Sequence, residues 1–103
     1  MTVAWVKIRY RDFYDIPRAI VVERRNHLYL FDCLYSYEID DYDPDYSVYE
    51  LPDELRDQLD AGMSWTDLGH RGKRLGSVAT ASVEFDSTKR RALNAAIFEQ
   101  FGL

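Results

Sequence analysis

Arg18-Ala19-Ile20-Val21-Val22-Glu23-Arg24-Arg25-Asn26-His27-Leu28-Tyr29-Leu30-Phe31-Asp32-Cys33-Leu34 is the stretch that decides the fold. Two runs rich in β-branched and aromatic residues, 18–23 and 28–34, flank a polar tetrad. Asn26 in that tetrad tolerates the left-handed backbone angles a tight turn demands, so the segment predicts a β-hairpin. Its second run is apolar at odd and even positions alike. That pattern predicts a strand covered on both faces, in the middle of a sheet.

Upstream, residues 2–10 alternate: Ala4, Val6, Ile8 and Tyr10 fall on one face, Lys7 and Arg9 on the other. Trp5 and Val3 share the basic face, which is therefore expected to be covered in part. Residues 11–18 carry Phe13, Tyr14 and Ile16. Exposing a large apolar side chain forfeits about 1.5–3 kcal/mol. The segment is therefore expected to tuck down as a compact loop, with Asp12 or Asp15 paired to Arg11 or Arg18. Its alternative use is as a hydrophobic contact for a partner. Downstream, residues 46–51 and 77–85 predict a fourth and a fifth strand, the latter with Ala79, Ala81, Val83 and Phe85 inward. If 46–51 were an edge strand, it would leave pairing between two copies open.

Pro52 suits a first helical position, and Asp53 and Glu54 complement the dipole. Leu51, Leu55 and Leu59 form a stripe that Gly62 ends. Ser64 starts a short capped turn reaching Leu68. Asp86, Ser87 and Thr88 offer an N-cap for a long C-terminal helix to Phe101, presenting Leu93, Ile97 and Phe101. Lys89, Arg90 and Arg91 would then sit at the dipole's unfavourable end. The expected architecture is one α+β domain over residues 1–103. It has a four- or five-stranded, mostly antiparallel sheet with a short helix and a C-terminal helix packed on one face.

One cysteine and two histidines among 103 residues exclude an intrachain disulfide and a four-ligand nitrogen and sulfur zinc site. No metal or cofactor is expected. Cys33 lies in an apolar run and reads as a buried structural thiol. No window approaches the ~18 consecutive apolar residues of a membrane span. The chain starts on strand-like alternation without a basic, apolar leader, so a cytoplasmic location is expected.

The charge is uneven. Between Asp32 and Asp60 stand eleven acids against one base, Arg56, whereas the remainder holds seven acids and twelve bases. Either the acidic stretch is a solvated face neutralised by the chain's own arginines, or it docks a basic protein, since concentrated charge steers association. Tyr35, Tyr37, Tyr42, Tyr46 and Tyr49 interleave with these acids, and tyrosine supplies interface area at low entropic cost. The leading expectation is a small acidic, non-catalytic interaction domain of the immunity or accessory type. It would bind a basic partner through Tyr35, Tyr37, Asp40, Asp41, Tyr42, Asp43 and Asp45.

Three motifs bear on other functions. Asp41 to Asp45 imitates the start of a calcium loop, but Tyr46 stands where the loop needs glycine and Pro52 where it needs glutamate. Gly69-His70-Arg71-Gly72, followed by Lys73 and Arg74, looks like the GXXG loop of KH domains, which clamps a nucleic-acid backbone. The likeness covers four residues, and the alternation after Gly76 predicts a strand where a KH domain has a helix. A flexible, solvated connection is the simpler expectation. A nucleic-acid module using His70, Arg71, Lys73 and Arg74 with the 89–91 cluster ranks second, against a net charge of −5. A small enzyme ranks third. No nucleophile elbow, histidine pair or glycine-rich dinucleotide turn is present. Asp32 shares a face with Leu28 and Leu30 and is expected to be half-buried, with a raised pKa unless a donor reaches it.

Overall fold

The computed structural model describes residues 4–86 and 92–103. The chain runs β1 (Trp5–Tyr14), β2 (Ile16–Arg24), β3 (His27–Asp32), β4 (Tyr35–Ser36), β5 (Asp41–Tyr42) and β6 (Asp45–Leu51). A 3-10 helix (Asp53–Gln58), α1 (Trp65–His70), β7 (Lys73–Ala79), a 3-10 turn (Thr80–Ser82), β8 (Ala92–Asn94) and α2 (Ala96–Glu99) follow. The expected hairpin forms: Val21 lies opposite Leu30, and Arg25 and Asn26 turn the chain with φ of 52° and 67°. β3 is flanked by β2 and β6 within a six-stranded antiparallel sheet of order β7-β6-β3-β2-β1-β8; β4 and β5 form a separate ribbon.

Because side chains alternate along each strand, the sheet has two apolar faces. Ile8, Ile20, Tyr29, Phe31, Tyr46, Val48 and, on β8, Leu93 pack with Ile97 and Phe98. On the opposite face Ala19, Val21, Leu28, Leu30 and Leu51 pack beneath Leu55, Leu59, Trp65 and Leu68. The leucine stripe thus works as read, although its helix is 3-10 rather than α and ends at Gln58, short of Gly62. Ser64 precedes α1 without a side-chain cap bond.

The sheet corrects several expectations. It is larger than four or five strands, and no helix among the described residues reaches seven residues. Residues 11–18 are not a tucked loop: β1 and β2 run on as a hairpin that leaves Phe13 and Tyr14 exposed. Arg11 turns instead to the Leu59 and Met63 carbonyls, and Arg18 to the Tyr14 carbonyl. β6 is an interior strand between β3 and β7, so its backbone is already paired on both sides and cannot join two copies. The fifth predicted strand is displaced. β7 ends at Ala79, Ala79 and Ala81 are exposed, and Phe85 keeps only a bridge to Leu93.

The long C-terminal helix is absent from the described residues, and its start, including the 89–91 cluster, lies outside them. Leu93 sits in β8, opposite Val6 on the open edge of β1. That edge supplies backbone partners, whereas a helix there would carry three bases against its positive end. Asn94 then accepts the Ala96 N–H at 2.9 Å, and α2 spans one turn. The intended apolar face survives, since Leu93 and Ile97 are buried and Phe101 packs against the same core.

The Gly69 to Gly72 segment is not a flexible loop either. Gly69 and His70 close α1, and Lys73 and Arg74 begin β7. A Cβ at Gly69 would meet the Leu30 side chain at 2.9 Å, and one at Gly72 would meet the Glu50 carbonyl oxygen at 2.4 Å. Both glycines let α1 and its exit press against the sheet. Gly72→Ala is expected to lower stability by about 1–3 kcal/mol in urea unfolding, because the obstructing atom is backbone. An unchanged midpoint would show that the contact is looser than drawn. Tyr46 is wholly enclosed and donates its hydroxyl to the Pro17 carbonyl at 2.6 Å. Tyr46→Phe is expected to cost about 0.5–1.5 kcal/mol in the same assay, with the sheet retained by circular dichroism.

Candidate functional site

Between β3 and β6 the chain leaves the sheet and returns. Cys33 donates its N–H to the Arg18 carbonyl at 2.7 Å, and Asp43 its N–H to the Leu34 carbonyl at 2.8 Å. These two bonds close a lobe over residues 34–43. Tyr35 pairs with Tyr42 and Ser36 with Asp41, while Asp40 turns the ribbon with φ 51°. Asp43 accepts the Asp45 N–H at 3.0 Å, a local turn that re-enters β6.

The tyrosines form one connected cluster. Tyr35 lies edge-on to Tyr42 at 5.3 Å and to Tyr37 at 5.2 Å. Tyr14, from the tip of the β1–β2 hairpin, stacks on Tyr42 at 5.6 Å, and the Arg18 guanidinium lies 4.1 Å above the same ring. Tyr35 also donates its hydroxyl to Asp40. That bond is the main reason its phenol is raised above the usual range. Tyr37 is 90% exposed, Tyr14 61% and Ile39 59%. Among the described residues, six of the eight exposed large hydrophobics come from residues 13–14 and 34–39, so the exposed apolar surface is gathered at one end of the sheet.

The acids beside it lack positive partners. Among the described residues, Glu38, Asp40, Asp41, Asp43 and Asp45 form no ion pair, whereas four acids elsewhere do. Glu23 and Asp53 are bridged by Arg56 at 2.8 Å and 3.2 Å, Asp60 is paired with Arg9, and Glu50 lies 3.7 Å from His27; Glu54 and Asp57, like the lobe acids, form no ion pair among the described residues. The expected docking residues Tyr35, Tyr37, Asp40, Asp41, Tyr42, Asp43 and Asp45 therefore share one exposed lobe and its exit. Tyr46 is buried and Tyr49 half-buried, and neither belongs to it.

At the foot of the lobe is a pocket of about 180 Å³ lined by Asp12, Arg18, Asp32, Cys33, Tyr35, Tyr42 and Thr66. Asp32 is 5% exposed, deeper than the half-burial expected from its strand position. Its carboxylate accepts the Thr66 hydroxyl at 2.8 Å. Burial raises its pKa above the ordinary carboxylate range; the Thr66 bond and His70 oppose this, and Asp12 adds to it. Cys33 is buried and free, its thiol between the Asp43 carbonyl at 3.1 Å and the Arg18 guanidinium at 3.4 Å. Burial raises the thiol pKa, against the opposing hydrogen bond and charge of Arg18, so the group stays protonated and is a poor nucleophile.

A larger cleft of about 470 Å³ lies over another part of the sheet, where Lys7, Arg9, Glu23 and Arg56 rim Val21, Leu28 and Leu59. Arg9 and Arg56 are tied up there in ion pairs. The second expected cluster lies elsewhere. His70 and Arg71 sit at the end of α1, Lys73 and Arg74 are exposed on the outer strand β7, and Arg71 donates to Gln58 at 3.0 Å. No group of three or more metal-ligating side chains exists among the described residues. Nor is any described helix long and apolar enough to cross a membrane.

Sequence reasoning missed Arg18 and Thr66. The hairpin register, which sets Ala19 opposite Asp32, carried a signal for Arg18 beside Cys33. Nothing local linked Thr66 to an acid 34 positions away. No protein-family model, curated protein or solved structure matches this chain.

The raised Asp32 pKa has a stability consequence. Folded Asp32 holds its proton to higher pH than the unfolded chain does, so the folded state binds more protons in that interval. Stability therefore falls as pH rises from the ordinary aspartate pKa through the elevated one. Urea unfolding of Asp32→Asn across that interval is expected to show a flatter pH dependence than the parent. An identical slope in the two proteins would remove Asp32 as its cause.

Proposed function

We propose that this protein is a non-catalytic docking domain that binds a basic protein through the 34–45 lobe and the adjoining hairpin tip. The observation that carries the reading is a cluster of exposed tyrosines bordered by carboxylates that have no ion-pair partner among the described residues. An exposed aromatic patch offers the apolar area of an interface core, and uncompensated charge of one sign attracts a partner of the other. Asp53 and Asp60, by contrast, are held by Arg56 and Arg9. An immunity or accessory role, in which the domain covers the basic surface of another protein, is the form of docking that suits this chemistry.

The test uses a synthetic amphipathic peptide of alternating leucine and arginine, followed by NMR chemical shifts of the full chain. Binding is expected at Tyr37 and Ile39, weakening as ionic strength rises. Tyr37→Ser is expected to weaken it by about tenfold or more, the scale of losing an aromatic anchor. The pair Glu38→Lys and Asp45→Lys should do likewise, with melting nearly unchanged, since exposed substitutions usually stay within about 0.5 kcal/mol. Peptide binding that ignores both salt and these substitutions would overturn the reading.

A further inference from the structure

We infer that the pocket beside Asp32 is an acceptor for a single cationic side chain, arginine or lysine, carried by the partner. This rests on the docking reading and adds its anchor.

The pocket is graded in depth. Asp12 and Tyr35 at its mouth are exposed, while Asp32 and Cys33 at its floor are buried. Two carboxylates line it, Asp12 and Asp32, and one guanidinium, Arg18. That guanidinium is directed at the Tyr42 ring and the Cys33 sulfur, and it makes no ion pair with either acid. With both acids ionised one negative charge is left over, and the deeper carboxylate is bonded to the Thr66 hydroxyl, with His70 near enough to act on it, but is not ion-paired among the described residues. A carboxylate removed from water without a positive partner is costly, so a cation entering the pocket replaces the solvation it has lost.

The surroundings favour that occupant over a neutral one. The unpaired acids of the lobe lower the potential along the approach. Tyr35 and Tyr42 wall the pocket with rings, against which a long aliphatic stem packs while its charged head goes deeper. Arg18 already rests on one of these rings, at 4.1 Å from its centre. The inference thus assigns separate tasks: the exposed tyrosines give area, and the Asp32 pocket selects one charged side chain.

The experiment titrates the full chain with N-acetyl-arginine amide, N-acetyl-lysine amide and, as the uncharged isostere, N-acetyl-citrulline amide, observing backbone and methyl NMR signals. Saturable shifts at Asp32 and Thr66 with a cationic amide, at least about tenfold weaker with the citrulline compound, support the pocket. Asp32→Asn should reduce cation binding by a similar factor. Asp12→Asn, at the exposed mouth, asks the same question without touching a buried group. No saturable shift with either cation overturns the inference, as does equal binding of the citrulline compound. Undiminished cation binding in both variants overturns it too. The leucine and arginine peptide separates the two readings. If it binds at Tyr37 while the amides leave Asp32 and Thr66 unmoved, the docking surface stands and the pocket falls. If the amides bind and the peptide does not, the docking surface falls and the pocket stands as a cation site.

Discussion

β3 has to be covered twice. Leu28 and Leu30 face one side of the sheet, Tyr29 and Phe31 the other, and all four are buried. A strand with no solvent-facing side holds its register tightly, because a one-residue slip exchanges every side chain between two cores of different shape. It also obliges the rest of the chain to supply two lids. The segment after β6 supplies one with Leu55, Leu59, Trp65 and Leu68; the segment after β8 supplies the other with Ile97 and Phe98.

That requirement governs where the charges go. The first lid is acidic and built of a 3-10 helix followed by α1, and arginines from the sheet hold it down. Arg11 donates to the Leu59 and Met63 carbonyls and stacks 4.3 Å over Trp65, whose indole N–H also reaches the Leu59 carbonyl. Arg9 pairs with Asp60, and Arg56 links the lid back to Glu23 on β2. Arg9, Arg11 and Arg56 are thereby engaged, and the lobe before β6 keeps Arg18 against its Tyr42 ring, with none of its carboxylates in an ion pair among the described residues. The exposed acidic surface is a by-product of how the first core is closed as much as a property of the lobe.

The tyrosines divide on the same principle. Tyr46 and Tyr49 fall on a strand between two others, so parity places one wholly in a core and the other partly against Gly69. Tyr35 and Tyr42 lie on a two-stranded ribbon outside the main sheet and Tyr37 in the turn that joins it; Tyr42 is half-buried against the core, while Tyr35 and Tyr37 stay exposed. Tyr14 joins them because the β1–β2 hairpin runs beyond the core and brings its tip alongside. A chain segment that looks uniform in composition is therefore part core and part surface.

The amino-acid sequence by itself determined the β2–β3 hairpin, the central place of β3, the leucine stripe and the split between acidic midsection and basic flanks. These follow from alternation, turn chemistry and charge, all local. Tertiary structure alone decided that Leu93 lies in a strand and that β6 is interior, because each depends on a free sheet edge made by residues far away in the chain. It also decided the company of Asp32. An acid on an apolar face announces burial, but the hydroxyl of Thr66 and the walls of Tyr35 and Tyr42 are assembled by packing over distances that no sequence period encodes.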